Sequence, residues 1–225
     1  MTADGAAELP GRSLRADEVA DLAQAWPISN HHELAEGHIF TVVADEVITP
    51  DGGRMTREYI RHPGAVAVIG LASSETGTER VVLVRQYRHP VGHLLLEPPA
   101  GLLDVAGESG LLAAQRELAE EVGLQASDWR VLADVFSSPG MATEAIRIFL
   151  ARGLSMVDRP DGFVLDGEEV HMETVWAELD DLADAVLGGR VGNPSLCTGV
   201  LAAVAARARG YDALRPADAP WSARD

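Results

Sequence analysis

The chain has one cysteine, no lysine and no stretch of apolar residues long enough to cross a bilayer, and each shortage removes a class of explanation. With Cys197 alone, no disulfide can close within the chain and no cysteine-based zinc site can be built from one copy. A small, buried, apolar role is the expectation for that thiol. No uncharged apolar run reaches the roughly 18 residues a membrane helix needs, and the acidic N-terminal region lacks the basic and apolar segments of a signal peptide. The default expectation is therefore a cytosolic protein with no membrane partner. Cations are also scarce, since 18 basic residues, all arginine, stand against 35 acidic ones and leave a formal charge of −17. Such a surface makes duplex nucleic acid a poor partner, because that binding draws on lysine and arginine neutralising phosphates. The missing lysine has two readings, a coding bias toward arginine or a use of guanidinium groups to grip phosphate bidentately.

What is present suits a globular protein. A length of 225 residues with 47% hydrophobic content allows one domain with a sizeable core, or one domain plus a short arm. Residues 1–37 are polar, acidic and weakly periodic, and predict a partly helical or mobile arm. Residues 38–61 read as a β-hairpin turning at Thr49-Pro50-Asp51-Gly52-Gly53. The β-branched runs 65–71 and 80–87 predict core strands, and 94–97 a short strand feeding the loop Pro98-Pro99-Ala100-Gly101. A helix then runs from a Ser109 cap to Gly123, where a left-handed residue commonly ends a helix. Beyond it come strands at 129–136, 144–151 and 172–176, a polar loop at 158–167, and helices at 179–187 and 195–209. The expected organisation is an arm and hairpin over 1–61, a domain over 62–209 and a loose tail over 210–225. Strands first, a central helix and later helices imply an α/β fold, a mixed β-sheet with helices on both faces.

The most informative stretch is Gly101-Leu-Leu-Asp-Val-Ala-Gly-Glu108, seven further residues, and then Arg116-Glu117-Leu118-Ala119-Glu120-Glu121-Val122-Gly123-Leu124. At about 100° per residue, Glu117, Glu120 and Glu121 share one arc of the helix, while Leu111, Ala114, Leu118 and Val122 form an apolar stripe on the other side. Like charges three and four residues apart repel. A helix that accepts this is either solvated on that face or holds divalent cations there, since hard cations take oxygen ligands and share them with substrate phosphates. An acidic protein acting on a phosphate ester needs positive charge between the two anions, and bound metal would supply it.

The stretch resembles the Nudix box, the Gly, Glu, Arg-Glu, Glu-Glu, Gly signature of Nudix hydrolases, which cleave nucleoside diphosphates linked to another moiety. The match from Glu108 to Leu124 is complete. Six residues rather than the family's usual five separate Gly101 from Glu108, an extra residue in the loop that leaves the helix intact. The resemblance implies a Nudix-type α/β/α sandwich and Mg²⁺ or Mn²⁺ held by Glu117, Glu120, Glu121 and the backbone carbonyl of Ala100. It also implies a salt bridge between Glu108 and Arg116 that braces the loop, with Gly101 and Gly123 completing the structural box. Glu97-Pro98-Pro99-Ala100-Gly101, Arg85-Gln86-Tyr87-Arg88 and Pro139, sixteen residues after Gly123, look like the ADP-ribose pyrophosphatase branch. On their own, Ser138-Pro139-Gly140 are only a turn.

Attack on a phosphate needs a base that approaches from the side opposite the helix. In the related pyrophosphatases an acidic loop at the place of Gly167-Glu168-Glu169 supplies the catalytic glutamate, which makes Glu169 the first choice and Glu168 the second; two solvated loop glutamates are the alternative. Arg61, Arg88, Glu97, Pro139 and Gly140 are the candidates for binding substrate, with a plain surface role open for both arginines. In that branch the N-terminal strands commonly exchange between subunits of a homodimer, and an arginine matching Arg61 reaches the neighbouring site. The expectation is hydrolysis of ADP-ribose to AMP and ribose 5-phosphate. The rivals are hydrolysis of another nucleoside diphosphate sugar, and a non-catalytic ADP-ribose-binding regulator, which the intact box and short acidic C-terminus disfavour.

Overall fold

The structure, a computed structural model, describes residues 11–160 and 172–224. Its central sheet is built around β4 (Ala65–Ser73), a strand so uniformly apolar that it can only be buried on both faces. Beside it lie β5 (Glu79–Arg88), antiparallel, and β9 (Ala145–Met156), parallel. The sheet continues through β8 (Leu124–Phe136) to the two-residue β11 (Arg215–Pro216) on one side and through β10 (Glu173–Glu178) on the other. Two short strands branch from this path, β6 (His93–Glu97) on β5 and β7 (Ala100–Leu102) on β4.

Alternation along β4 divides the core. Val66 and Val68 face one side, where they pack with Phe149 against Ala113, Ala114 and Leu118 of α1 (Gly110–Val122). Ile69 and Leu71 face the other, against α2 (Leu179–Leu187) and α3 (Pro194–Arg207). The result is the expected α/β/α sandwich on a mixed sheet. On α1 the buried apolar set is Ala113, Ala114 and Leu118, with Leu111 and Val122 only partly covered. Cys197 is half-buried, and burial raises its thiol pKa.

The hairpin forms as expected, with β2 (Thr41–Ile48) and β3 (Arg54–Arg61). Residues 1–37 hold more than a partly helical or mobile arm. Besides one 3₁₀ turn at Ala16–Glu18, they contribute β1 (Ile28–Glu36), which joins the hairpin in a separate three-stranded sheet of order β1-β2-β3. All nine residues of β1 are exposed, so no buried face imposed an alternation by which to recognise the strand. By contacts the chain forms two compact units, one running through His31 and including Asp45–Arg57, the other comprising His32–Ala44 and the chain from Glu58 onward.

The tail is not loose where it is described. β11 pairs with Val131 and Arg130 of β8, and Trp221 is buried beneath the guanidinium of Arg147, 4.7 Å from its ring centre. Arg147 is only 4% exposed and needs partners. Asp134 accepts from its Nε at 2.7 Å, and the carbonyls of Ala219 and Pro220 accept at 2.7 and 2.9 Å. A buried cation on β9 thus pins the C-terminal segment.

Candidate active site

The site starts at the ends of α1. The Ser109 side chain accepts from the Leu112 amide and starts the helix, and Gly123 ends it at φ 65°, donating to the Ala119 carbonyl. Between these caps the apolar residues dock on the sheet, and that docking fixes where the glutamates point. Glu117 and Glu121, one turn apart, are buried rather than solvated, at 9% and 8% exposure. They lie against β7. The Ala100 amide donates to Glu121 Oε2 at 3.1 Å, and the Glu117 carboxylate occupies the space a side chain at Gly101 would fill.

Glu120 takes another route, because Arg116, four residues earlier, draws its carboxylate to Nη1 at 3.0 Å. Arg116 also grips Glu108 with Nε at 3.0 Å and Nη2 at 3.1 Å, and reaches Glu117 Oε1 at 2.6 Å. The hydrogen bonds to Glu108 are the main reason its pKa is raised further above the usual arginine value, against the opposing effect of burial. The extra loop residue does not keep Glu108 from Arg116. Gly107 turns through φ 81° and the Glu108 amide bonds back to the Val105 carbonyl, which brings Glu108 to the helix.

Glu117, Glu121, Ala100 and Gly101 form one wall of a cleft of about 600 Å³. Glu97 and Arg88 also line it, as a bidentate pair with Nε–Oε1 at 3.0 Å and Nη2–Oε2 at 2.7 Å; the Glu97 carboxylate is 3% exposed, the Arg88 side chain 43%. His62, Ser137 and Glu144 line it too. The Ser137 hydroxyl donates to Glu144 Oε2. Nδ1 of His62 accepts from the Gly64 amide at 3.1 Å, which puts the proton of the neutral ring on Nε2. The 3.6 Å approach of that nitrogen to Glu144 Oε1 is therefore not a hydrogen bond. Gln86 on β5 and Ser195 on α3 are among its other lining residues.

Of the residues singled out in the sequence, Ala100, Gly101, Glu117, Glu121, Arg88, Glu97 and Arg116 meet at this cleft. Glu120 is absent from its lining, as are Pro139 and Gly140, which are exposed in the turn after β8. Arg61 is exposed and paired with Glu33. Glu168 and Glu169 lie outside the described residues. His62, Gln86, Ser137, Glu144 and Ser195 escaped the sequence reading. Gln86 had a signal, lying inside Arg85-Gln86-Tyr87-Arg88, as did Ser137 and Glu144, which flank the turn that drew attention to Pro139.

Among the described residues no group of three His, Cys, Asp or Glu side chains stands ready to hold a metal ion by itself. The donors fit a different arrangement. Magnesium usually takes one or two carboxylates and completes its shell with water and substrate phosphates. Two buried carboxylates beside a strand with no side chain at Gly101 offer that kind of partial shell.

A family profile for the NUDIX domain matches residues 61–193. An ADP-ribose pyrophosphatase of Mycobacterium tuberculosis is 45% identical over 188 residues, covering 84% of this chain and 87% of that protein. A methanol dehydrogenase activator of Bacillus methanolicus is 38% identical over 159 residues, 71% of this chain and 82% of the other. Among solved structures, an ADP compounds hydrolase aligns with a TM-score of 0.65 at 22% identity, over 85% of this chain and 99% of that one, a likeness of fold. No helix among the described residues is long and apolar enough to cross a membrane.

Proposed function

The chain belongs to the NUDIX family, and on that premise we propose that it hydrolyses ADP-ribose to AMP and ribose 5-phosphate with the help of Mg²⁺ or Mn²⁺. The observation that carries the chemistry is the burial of Glu117 and Glu121 against Ala100 and Gly101 in an open cleft. The substrate follows from the 45% identity to a protein named ADP-ribose pyrophosphatase.

Glu117 and Glu121, with Glu120 and the Ala100 carbonyl, would hold the metal. When bound, the ion neutralises phosphate charge and polarises the phosphorus–oxygen bonds. For Glu120 this requires release from Arg116. The remaining work belongs to the protein's own groups. Glu169, with Glu168 as second choice, takes the proton of a water whose oxygen attacks one phosphorus as the bridging phosphorus–oxygen bond breaks. Arg116 holds Glu108 and Glu117 in place, and Arg88, oriented by Glu97, presents its half-exposed guanidinium to the phosphates. The turn at Pro139 and Gly140 and the side chain of Arg61 bind substrate from outside the cleft, Arg61 in the site of a second copy.

That last role requires a homodimer with exchanged N-terminal strands. Ile28, Leu34, Ile39 and Phe40, in and beside β1, are all exposed in the single chain and supply apolar surface for it. The lone half-buried thiol goes with a cytosolic setting. The decisive experiment measures turnover with Mg²⁺ on ADP-ribose, ADP-glucose and GDP-mannose. A tenfold preference for either sugar nucleotide overturns the substrate, absence of turnover on all three with retained binding favours a regulator, and a monomer by light scattering overturns the exchange.

A further inference from the structure

Gln86 and Ser195 are each only 7% exposed, and both line the cleft. Buried polar side chains are nearly always hydrogen-bonded. Neither of these has a side-chain partner among the described residues, and neither has a polar atom sealed off from the cleft, so their bonding capacity is directed at whatever fills it. Both sit on regular elements. Gln86 is held in β5 opposite Leu95, and Ser195 stands in the first turn of α3, where the Asn193 side chain caps the Leu196 amide at 2.9 Å and Pro194 has no N–H to give. Groups fixed in this way select by geometry.

Resting on the sugar-nucleotide reading above, we propose that Gln86 and Ser195 form the subsite for the sugar distal to the nucleotide and read its hydroxyl groups. The chemistry decides among the substrate's three parts. The phosphates have a charged partner elsewhere in the cleft, the half-exposed guanidinium of Arg88. A base calls for a flat apolar or aromatic face to stack on, and among the described residues no Phe, Tyr or Trp lines the cleft. A vicinal diol calls for groups that both donate and accept, which a carboxamide and a hydroxyl supply. The same pair therefore sets the choice among nucleoside diphosphate sugars, while the glutamate helix sees only the pyrophosphate.

The test uses the full chain with Mg²⁺ and the variants Ser195→Ala and Gln86→Leu, each checked for an unchanged melting temperature. It reads kcat/KM on ADP-ribose and the inhibition constants of the two products, AMP and ribose 5-phosphate, separately. Each variant should lower kcat/KM about tenfold and weaken ribose 5-phosphate about tenfold, leaving AMP within about twofold. A loss confined to AMP makes the pair a base subsite and overturns the proposal, as does an equal loss for both products or none for either. Should the parent enzyme prefer another sugar nucleotide, the ADP-ribose reading fails alone, and the same comparison with that sugar's phosphate judges the subsite. If only Gln86→Leu unfolds, Ser195→Ala carries the test.

Discussion

Replacing Gly101 with alanine should disable the cleft while leaving the fold standing. The φ angle at Gly101 is not positive, so its backbone suits any residue and strain is not the reason glycine stands there. The reason is the neighbour across from it. A Cβ built on Gly101 overlaps the Glu117 carboxyl group and stands 2.6 Å from its Cγ, closer than real Cβ contacts come. The helix is docked by Ala113, Ala114 and Leu118 and cannot retreat, so the Glu117 side chain must rotate away. Its carboxylate then moves by about 1 Å or more and leaves Arg116, and a misplacement of that size costs roughly 10²-fold in rate. Because the side chain can swing into open space, the stability cost should sit at the low end for overpacking, about 1 kcal/mol, or roughly 2–4 °C in melting temperature. Gly77→Ala, in the turn between β4 and β5, is the matched control. There φ is 83° and a Cβ meets nothing within 4 Å, so only backbone strain is added. It should cost a similar amount of stability, about 1 kcal/mol, yet keep kcat/KM within about threefold. Steady-state kinetics at saturating Mg²⁺ and calorimetric melting read both effects. If Gly101→Ala keeps its kcat/KM within about threefold, or falls only in step with Gly77→Ala, the seat of Glu117 on Gly101 does not position the catalytic machinery.

Three further outcomes are expected. Glu121→Gln should weaken Mg²⁺ binding in titration calorimetry and lower the rate by about 10³-fold or more, since it alters a buried carboxylate, proposed as a ligand, whose Oε2 accepts from the Ala100 amide; unchanged Mg²⁺ affinity would exclude Glu121 as a ligand. Glu169→Gln should keep Mg²⁺ binding and lose roughly 10²–10⁴-fold in kcat, whereas Glu144→Gln should lose less than about tenfold; the reverse order moves the base to Glu144. For Asp134, burial alone would raise the carboxyl pKa, but hydrogen bonds from Arg147 and Arg215 outweigh it and hold the native value below the ordinary one. A lowered native pKa means a contribution fully present above the ordinary range near pH 4 and lost as pH falls through the native value. Asp134→Asn should therefore cost about 1–2 kcal/mol in urea unfolding at pH 7, after allowance for solvent screening, with the gap to the parent closing below about pH 4; a gap independent of pH would falsify the assignment.

The parts of the molecule that sequence made legible are those specified within one or two turns of chain. Helix α1 was readable because its caps, its apolar residues and its carboxylates all lie between Ser109 and Gly123. The 100° arc groups Glu120 with Glu117 and Glu121, and what it does not show is that Arg116, four residues before Glu120, draws the carboxylates of both Glu117 and Glu120 to its own guanidinium. The tail was misread for the opposite reason. Nothing near Trp221 in sequence says that it is held, because its anchor is Arg147, more than seventy residues earlier.

The other half of the cleft is ordered by strand topology. His62 and Glu144 are far apart in the chain, yet they stand three residues and one residue ahead of the two strands of the parallel pair β4 and β9, in which Ala65 stands opposite Ile146. Parallel strands begin at the same edge of a sheet, so the residues leading into both arrive together. Ser137 follows from the next pairing, since β8 runs antiparallel to β9 with Phe136 opposite Ala145, and the end of one strand returns to the start of the other. The adjacency of these three residues is thus a consequence of strand order and register, and any sequence that keeps that pairing will bring the same positions together whatever residues occupy them. Their chemistry is a separate matter. A carboxylate at 144, steadied by a hydroxyl at 137 and facing a histidine whose Nδ1 is occupied by a backbone amide, keeps an oxygen able to accept a hydrogen bond across from the glutamate helix. The substitution of Glu144 therefore reports on a position that the fold guarantees, while that of Glu169 tests the residue that the resemblance singles out.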